Sequence, residues 1–379
     1  MKRLRQLDGV RGLAILMVLV WHYLVIPSTV EPDSALWLFR SALVLTWSGV
    51  NLFFVLSGFL IAGILLDQSH ASNYFRIFYL RRACRILPLY FLLLAVFISC
   101  FATGISAYPR FQWLFSDPMP LWSYATFMQN FFMGILGHFG GGAFNVTWSL
   151  AVEEQFYLLI PLLIYLLPRR VVFGVLLVGV LAAPLFRSAL PGLLSRVSTP
   201  CCADSLLSGA SLAILVRSAR FLTVVRQHQE NLLGLCFLFL VGAAVLTVLA
   251  PSPFAPVTHF WLAGLYTLLI LVSYLDAHPR LGWLLRQPVL VWFGQLSYGI
   301  YLFHQPVQGF FYGILRAAPP TIVTFSDLAI TSMSLVVTLL LAALSYRFLE
   351  SPILKFGHAF RYAASQKSPV EAATVHADT

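Results

Sequence analysis

The side chain best suited to proton chemistry is His22, which stands 11 positions after Arg11, about 16 Å along a helix that rises about 1.5 Å per residue. A neutral imidazole takes a hydroxyl proton near pH 7 with little adjustment of its own pKa. His22 is therefore a candidate general base or transient acyl carrier; the plainer alternative is a histidine hydrogen-bonded between helices. Asp8 and Arg11 have i, i+3 spacing, which allows an ion pair on one helical face that orients the helix or binds an anion. Arg11 alternatively reads as a charge snorkelling from the end of a membrane span.

A second cluster, Arg81-Arg82-Ala83-Cys84-Arg85 followed by Ile-Leu-Pro, is expected to put Arg81 and Arg85 on one helical face. Three neighbouring guanidiniums make a phosphate clamp, because planar forks grip phosphate oxygens in bidentate fashion. Topogenic anchoring or binding of anionic lipid is the competing role. Ser57 and Gly58 supply a small pair whose ordinary use is close helix packing; Ser57 becomes a nucleophile only with a base such as His22, and otherwise a polar contact for a donor. In Trp148-Ser-Leu-Ala-Val-Glu-Glu-Gln-Phe-Tyr157, only one of Glu153 and Glu154 can point into a helix bundle. Tyr298-Gly-Ile-Tyr-Leu-Phe-His304 adds a second histidine, and Arg347 and Glu350 are spaced for a structural ion pair. His138 beside Gly140-Gly141-Gly142 marks a loop that could approach a substrate, and the Asn145-Val-Thr147 sequon carries no weight.

These groups need elements to hold them, and composition says which kind. The 379 residues are 59% hydrophobic and only 10% charged, whereas a soluble protein has roughly a quarter charged residues to face water. A soluble fold and a disordered chain are both excluded. The expected class is all-α: a polytopic membrane bundle of about ten helices of roughly 20 residues each. Stretches free of Asp, Glu, Lys and Arg mark the spans, among them 12–30, 41–66, 86–109, 155–168, 171–186, 205–216, 287–315 and 328–346; 231–275 reads as two spans broken at Pro251-Ser252-Pro253. The polar segment 122–137 is left as an outer-face or re-entrant piece. That choice follows from the positive-inside rule. With ten spans and both termini cytoplasmic, 19 of the 24 Lys and Arg fall inside, and a further span at 122–137 would flip every later loop. The net charge of +10 thus reports orientation rather than nucleic-acid binding. Residues 1–355 are expected to form the membrane domain and 356–379 a disordered cytoplasmic tail. Five cysteines without CxxC or His-spaced patterns predict neither a disulfide framework nor a metal site. The basic N-terminus imitates a secretory signal, but Trp21-His22-Tyr23 interrupts the apolar run and no Ala-x-Ala site follows.

Taken together, the ordered blocks resemble the membrane-bound acyltransferase 3 family. Leu7-Asp8-Gly9-Val10-Arg11-Gly12 leading to His22 is similar to its opening motif, and residues 51–60 to its Phe-Phe-x-x-Ser-Gly-x-Leu helix. Residues 81–88 resemble its arginine-rich third helix, 148–157 its Trp-Ser-Leu-x-x-Glu block, 298–304 its Tyr-x-x-Tyr-x-x-His block and 346–352 its closing Glu-x-Pro. One departure is Cys202, where relatives often carry an Arg two residues before the Asp, here Asp204. The chain also ends soon after the last span, so the soluble hydrolase-like domain fused to some members is expected to be absent.

The resemblance implies transfer of an acyl group, most simply acetyl, from acyl-CoA as co-substrate to a hydroxyl of a carbohydrate or lipid-linked glycan, with no metal. It further implies a multi-pass protein of the bacterial inner (plasma) membrane, in contact with lipid and not with nucleic acid. Physical reasoning then divides the work. Arg81, Arg82 and Arg85, with Ser57, are expected to bind the donor; His22 to act on the hydroxyl; Arg11 and Asp8 to fix its helix; Glu153 and His304 to orient base or acceptor. The acceptor is expected from the outer face past Gly140 to Gly142. A transporter or lipid flippase is the rival, since it too needs buried His, Glu and Arg; repeated halves and paired broken helices would favour it, and no repeat of helix pairs is visible. A helical scaffold without chemistry leaves His22 and the arginines unexplained.

Overall fold

The computed structural model describes residues 4–28, 40–249 and 255–363. Among them every regular element is helical, and one isolated bridge joins Ser28 to Ile322. The long helices are α1 (Arg5–Val20), α2 (Gly49–Asp67), α3 (Tyr74–Ala102), α4 (Thr147–Leu166), α5 (Arg169–Ala189), α6 (Ala203–Leu215), α7 (Gln229–Leu249), α8 (Pro256–Leu275), α9 (Pro288–Arg316) and α10 (Phe325–Ser345), followed by the short α11 (Ser351–Ala359). Helix is the structure lipid requires, since each backbone amide finds its partner within its own segment. Local signals place the ends. Pro256 and Pro288 start α8 and α9 where a missing N–H costs nothing. A capping box between Thr324 and Asp327 opens α10, and Arg316 at the end of α9 reaches Asp327 at 2.8 Å, closing the hairpin between them.

Among the described residues eight helices are long and apolar enough to cross a membrane, or nine if Thr199–Leu215 and Ala219–Gln227, bent by 97°, count as one broken span. The protein is thus a polytopic helical membrane protein. The expected span at 287–315 forms a 29-residue helix, but α9 buries Ser297, His304, Gln305 and Gln308, and so falls outside the apolar set. The segment expected to stay outside the bundle of spans contains two short helices, Leu121–Ala125 and Gln129–Leu136, neither long enough to cross. The expected boundary at 355 falls within α11, and the chain beyond it is docked: Asn73 Nδ2 donates to the Arg361 carbonyl at 3.0 Å, and the Ala363 N–H donates to Asn73 Oδ1 at 2.8 Å. The rest of the expected tail, and the turn at Pro251-Ser252-Pro253, lie outside the described residues.

Two glycine contacts set the frame around the candidate groups. Gly58 and Gly209 bring α2 and α6 together so closely that a methyl on either would meet a backbone carbonyl of the other helix at 1.9 Å. Gly12 and Gly294 do the same for α1 and α9, where a methyl would meet the Leu290 or Asp8 carbonyl at 2.0 and 1.9 Å. Small residues replace the hydrophobic driving force that lipid cannot supply between helices. Their effect is to press the helix bearing Arg11 and His22 against the helix bearing Tyr298, Tyr301 and His304.

Candidate active site

Four helices, α1, α2, α4 and α9, contribute to two cavities stacked along their length. The first, about 210 Å³, is lined by Arg11, Ser57, Arg82, Arg85, Glu153 and Tyr298, among others. It shares Arg11, Arg85 and Tyr298 with a neighbouring space of about 350 Å³ that also meets Asp8, Lys355 and His358. The second cavity, about 390 Å³, is lined by His22, Asn51, Asn145, Arg196, His259 and Gln305. Val50 and Tyr301 border both the first and second cavities and form the partition between them. Order along each helix agrees with this stacking. Arg11 lies on one side and His22 on the other in α1 and its extension; Ser57 and Asn51 in α2, and Tyr298 and Gln305 in α9, do the same.

His22 sits where α1 widens into a π-turn, Trp21–Val25, closed by an i to i+5 bond from the Ile26 N–H to the Trp21 carbonyl at 2.9 Å. Single π-turns of this kind are frequent at functional sites. The turn is anchored by Tyr23, whose hydroxyl donates to the His304 carbonyl at 2.8 Å and pairs with Thr338 Oγ1 at 2.9 Å. His22 Nδ1 lies 2.9 Å from the Val18 carbonyl. A carbonyl only accepts, so Nδ1 carries the proton and Nε2 keeps its lone pair, the form a general base needs. His304 has the same arrangement, with Nδ1 donating to the Tyr301 carbonyl at 2.7 Å; its ring meets that of His22 edge to face, centroids 4.9 Å apart. His304 is fully buried, and its Nε2 has no hydrogen-bond partner among the described residues.

Around the arginine cavity the hydroxyls are tied to one another. Tyr157 donates to Glu153 Oε2 at 3.2 Å and shares a hydrogen bond with Ser57. Tyr298 donates to the Ile86 carbonyl at 2.7 Å, and Tyr301 to the Val146 carbonyl at 2.9 Å with Ser149 Oγ 2.6 Å away. Glu153 faces the cavity and Glu154 does not line it, so one of the two adjacent carboxylates enters the site. Arg11 and Asp8 approach to 3.9 Å.

The arginine cluster divides differently from the sequence expectation. Arg82 and Arg85, three residues apart, face the cavity together with Arg11, whereas Arg81 turns away to donate to the Phe360 carbonyl at 2.6 Å and lies 5.1 Å over the Tyr362 ring. One residue along a helix is a rotation of about 100°, so Arg81 cannot share the direction of Arg82. The expected Arg347 and Glu350 pair does not form. A second π-turn, Tyr346–Glu350, changes the angular spacing of that pair; Glu350 accepts from Ser345 Oγ at 3.0 Å while Arg347 lies over the Phe348 ring.

Sequence reasoning missed several polar groups held inside the helix bundle. His259 in α8 is an ionisable group within a span, and the rule that flagged His22 applies to it as well. Arg187 is 5% exposed in the last turn of α5 and grips Asp204 through two bonds of 2.6 and 2.7 Å. Asp204, two residues after Cys202, thus takes its guanidinium partner from the adjacent helix. Cys202 itself is buried, with Sγ 3.5 Å from the Arg196 carbonyl.

Comparison with known proteins agrees with the motif reading. The family model described as an acyltransferase domain matches residues 4–347. The peptidoglycan O-acetyltransferase OatA of Listeria monocytogenes is 29% identical over 94% of this chain and 56% of its own length. A provisionally named O-acetyltransferase of Staphylococcus aureus is 28% identical over 94% of this chain and 58% of its own. A provisionally named peptidoglycan O-acetyltransferase of Bacillus subtilis, YrhL, is 29% identical over 92% and 54%. The chain therefore spans little more than half the length of these relatives. No solved structure gives a significant match. With a matching model over nearly its whole length and the motif residues gathered around two adjoining cavities, this chain belongs to the acyltransferase 3 family.

Proposed function

We propose that the protein is a membrane O-acyltransferase that moves an acetyl group from acetyl-CoA to a hydroxyl of peptidoglycan or a lipid-linked precursor of it. The observation that carries this reading is the adjacency of two unlike cavities that share Val50 and Tyr301 in their walls, with guanidiniums lining one and an imidazole lining the other. Arg11, Arg82 and Arg85 fit a phosphate-bearing donor, because three fixed cations in one space attract several anionic oxygens and each fork accepts bidentate bonding. Lys355 lines the adjoining space that shares Arg11 and Arg85 with it. The positive-inside rule supports a cytoplasmic position for this end, where acetyl-CoA is made, with the histidine cavity toward the opposite face. The acceptor is taken as peptidoglycan because two relatives carry that substrate in their names.

In the reaction, the thioester carbonyl reaches the partition from the arginine side and the acceptor hydroxyl from the histidine side. His22 Nε2 takes the hydroxyl proton as the oxygen attacks the carbonyl, the new C–O bond forms, and the C–S bond breaks. The coenzyme A thiolate then recovers the proton from the imidazolium, whose Nδ1–H remains bonded to the Val18 carbonyl throughout. Products are an acetyl ester and free coenzyme A, and no redox change or metal is needed. The test is incubation of the purified full chain in detergent with labelled acetyl-CoA and soluble peptidoglycan fragments. Label in the glycan supports the reading; donor binding without transfer to any glycan, or label retained on a transported substrate, overturns it.

A further inference from the structure

The turn that carries His22 is part of a closed circuit. Its ring meets the ring of His304, with centroids 4.9 Å apart, and the next residue, Tyr23, donates its hydroxyl to the His304 backbone carbonyl at 2.8 Å. A hydroxyl has a single proton, and here the carbonyl takes it. Thr338 Oγ1, 2.9 Å from the Tyr23 oxygen, must therefore donate to the Tyr23 lone pair. Donation runs from Thr338 in α10 through Tyr23 to the backbone of α9, and each bond polarises the next. Tyr23 is 2% exposed, and Thr338 and His304 are 0% exposed. Neither Tyr23 nor Thr338 is among the residues that line the arginine or histidine cavities.

What the circuit fixes is rotation. The close approach of Gly12 to the Leu290 carbonyl sets the distance between α1 and α9, but contact between backbones resists turning about the helix axis only weakly. A hydrogen bond resists it, because its strength falls steeply with misalignment. Tyr23 stands 11 residues beyond Gly12, about 16 Å along the helix, so its bond is a second attachment remote from the first. The π-turn closed between the Ile26 N–H and the Trp21 carbonyl is a rare local form. Relaxed to α-helical spacing, it would hold one residue fewer and turn the side chains around it by about 100°. We propose that the Tyr23 hydroxyl, backed by Thr338, is the positioning element of the base: it holds the π register and so aims His22 at the acceptor hydroxyl, while touching neither substrate. The inference rests on the reading of His22 as the base and adds the two residues that aim it.

Labelled acetyl transfer is counted per acetyl-CoA-binding site of the purified full chain, so that misfolded protein does not register. Tyr23→Phe keeps the ring and removes the hydroxyl. It should lower kcat by about 10- to 100-fold with KM for acetyl-CoA held within about twofold, a range between the loss of one hydrogen bond and the effect of about 1 Å of misplacement. Thr338→Val, of the same shape, should lower kcat by about 3- to 10-fold, because the bond to His304 survives. Adding it to Tyr23→Phe should lower kcat by no more than about twofold further. On a His22→Ala background, Tyr23→Phe should change the residual transfer by no more than about twofold, since no base is left to aim. An equal loss on both backgrounds, or a kcat for Tyr23→Phe within about twofold of the unaltered chain, overturns the positioning role. Deuterium exchange of residues 21–26 reads the turn without turnover: it should be about tenfold faster in Tyr23→Phe, and an unchanged rate likewise overturns the role. Absence of transfer by the unaltered chain, or near-normal transfer by His22→Ala, removes the proposed reaction instead and leaves the exchange result to decide whether Tyr23 holds the turn.

Discussion

The two cavities differ in how their polar groups are satisfied. On the arginine side the hydroxyls and the carboxylate are spoken for by one another, as in Ser57, Tyr157 and Glu153, and what remains for a ligand is positive charge. On the histidine side, the lining residues Asn145, His259 and Gln305 each carry a buried polar atom without a hydrogen-bond partner among the described residues. Charge acts over distance and tolerates a flexible, multiply anionic ligand; a lone pair or an N–H has value only within hydrogen-bond reach. One cavity is built to hold and the other to aim. Tyr301 belongs to both, and its hydroxyl is pinned by Val146 and Ser149 while its carbonyl orients His304.

The sharpest way to break this contrast is His22→Ala. Loss of a positioned base should lower acetyl transfer by about 10² to 10⁴ while leaving heat protection by acetyl-CoA unchanged; near-normal transfer would remove the imidazole from the chemistry. Next comes Arg187→Ala, outside both cavities, which strands Asp204 as a buried charge and should cost about 3 to 5 kcal/mol of stability, seen as a fall in the unfolding midpoint. If it instead raised KM for acetyl-CoA with no loss of stability, the boundary drawn around the donor side would be misplaced. Arg82→Ala and Arg85→Ala should each raise KM for acetyl-CoA by about 10- to 100-fold with kcat held at saturation, the size of one charged hydrogen-bonding partner. Smallest is Arg81→Ala, expected to change that KM by no more than about twofold. Its effect should appear as easier proteolysis after residue 355, since the lost bond to Phe360 is worth about 1 kcal/mol. A KM effect at Arg81 equal to that at Arg82 would mean the cluster acts as a whole.

Much of this organisation is legible in the chain itself. Low charge and long apolar runs demand membrane helices, and the Arg11 and His22 spacing separates two chemical functions by roughly half a bilayer before any packing is known. Rotation about a helix axis is the step that local pattern leaves open. Arg81, Arg82 and Arg85 look interchangeable in one dimension, and only the docking of α11 against α3 decides which guanidinium faces the cavity. Both π-turns also escape a reading based on 3.6 residues per turn, which is why the Arg347 and Glu350 pair was expected and is not formed. His259 and Asn145 line the same cavity as His22 from segments more than 100 residues away in the chain, a relation that neither spacing nor composition encodes.

The backbone contact at Gly12 and Gly294 has an implication for how loss of function will be distributed. A single added carbon there would collide with a carbonyl at about 2 Å, prying apart the two helices on which the base and the partition ride. Random mutagenesis scored for dead protein should thus return alanine or serine at these positions alongside changes in the ionisable groups, and those hits would identify spacing between rods, rather than reactivity, as the property destroyed.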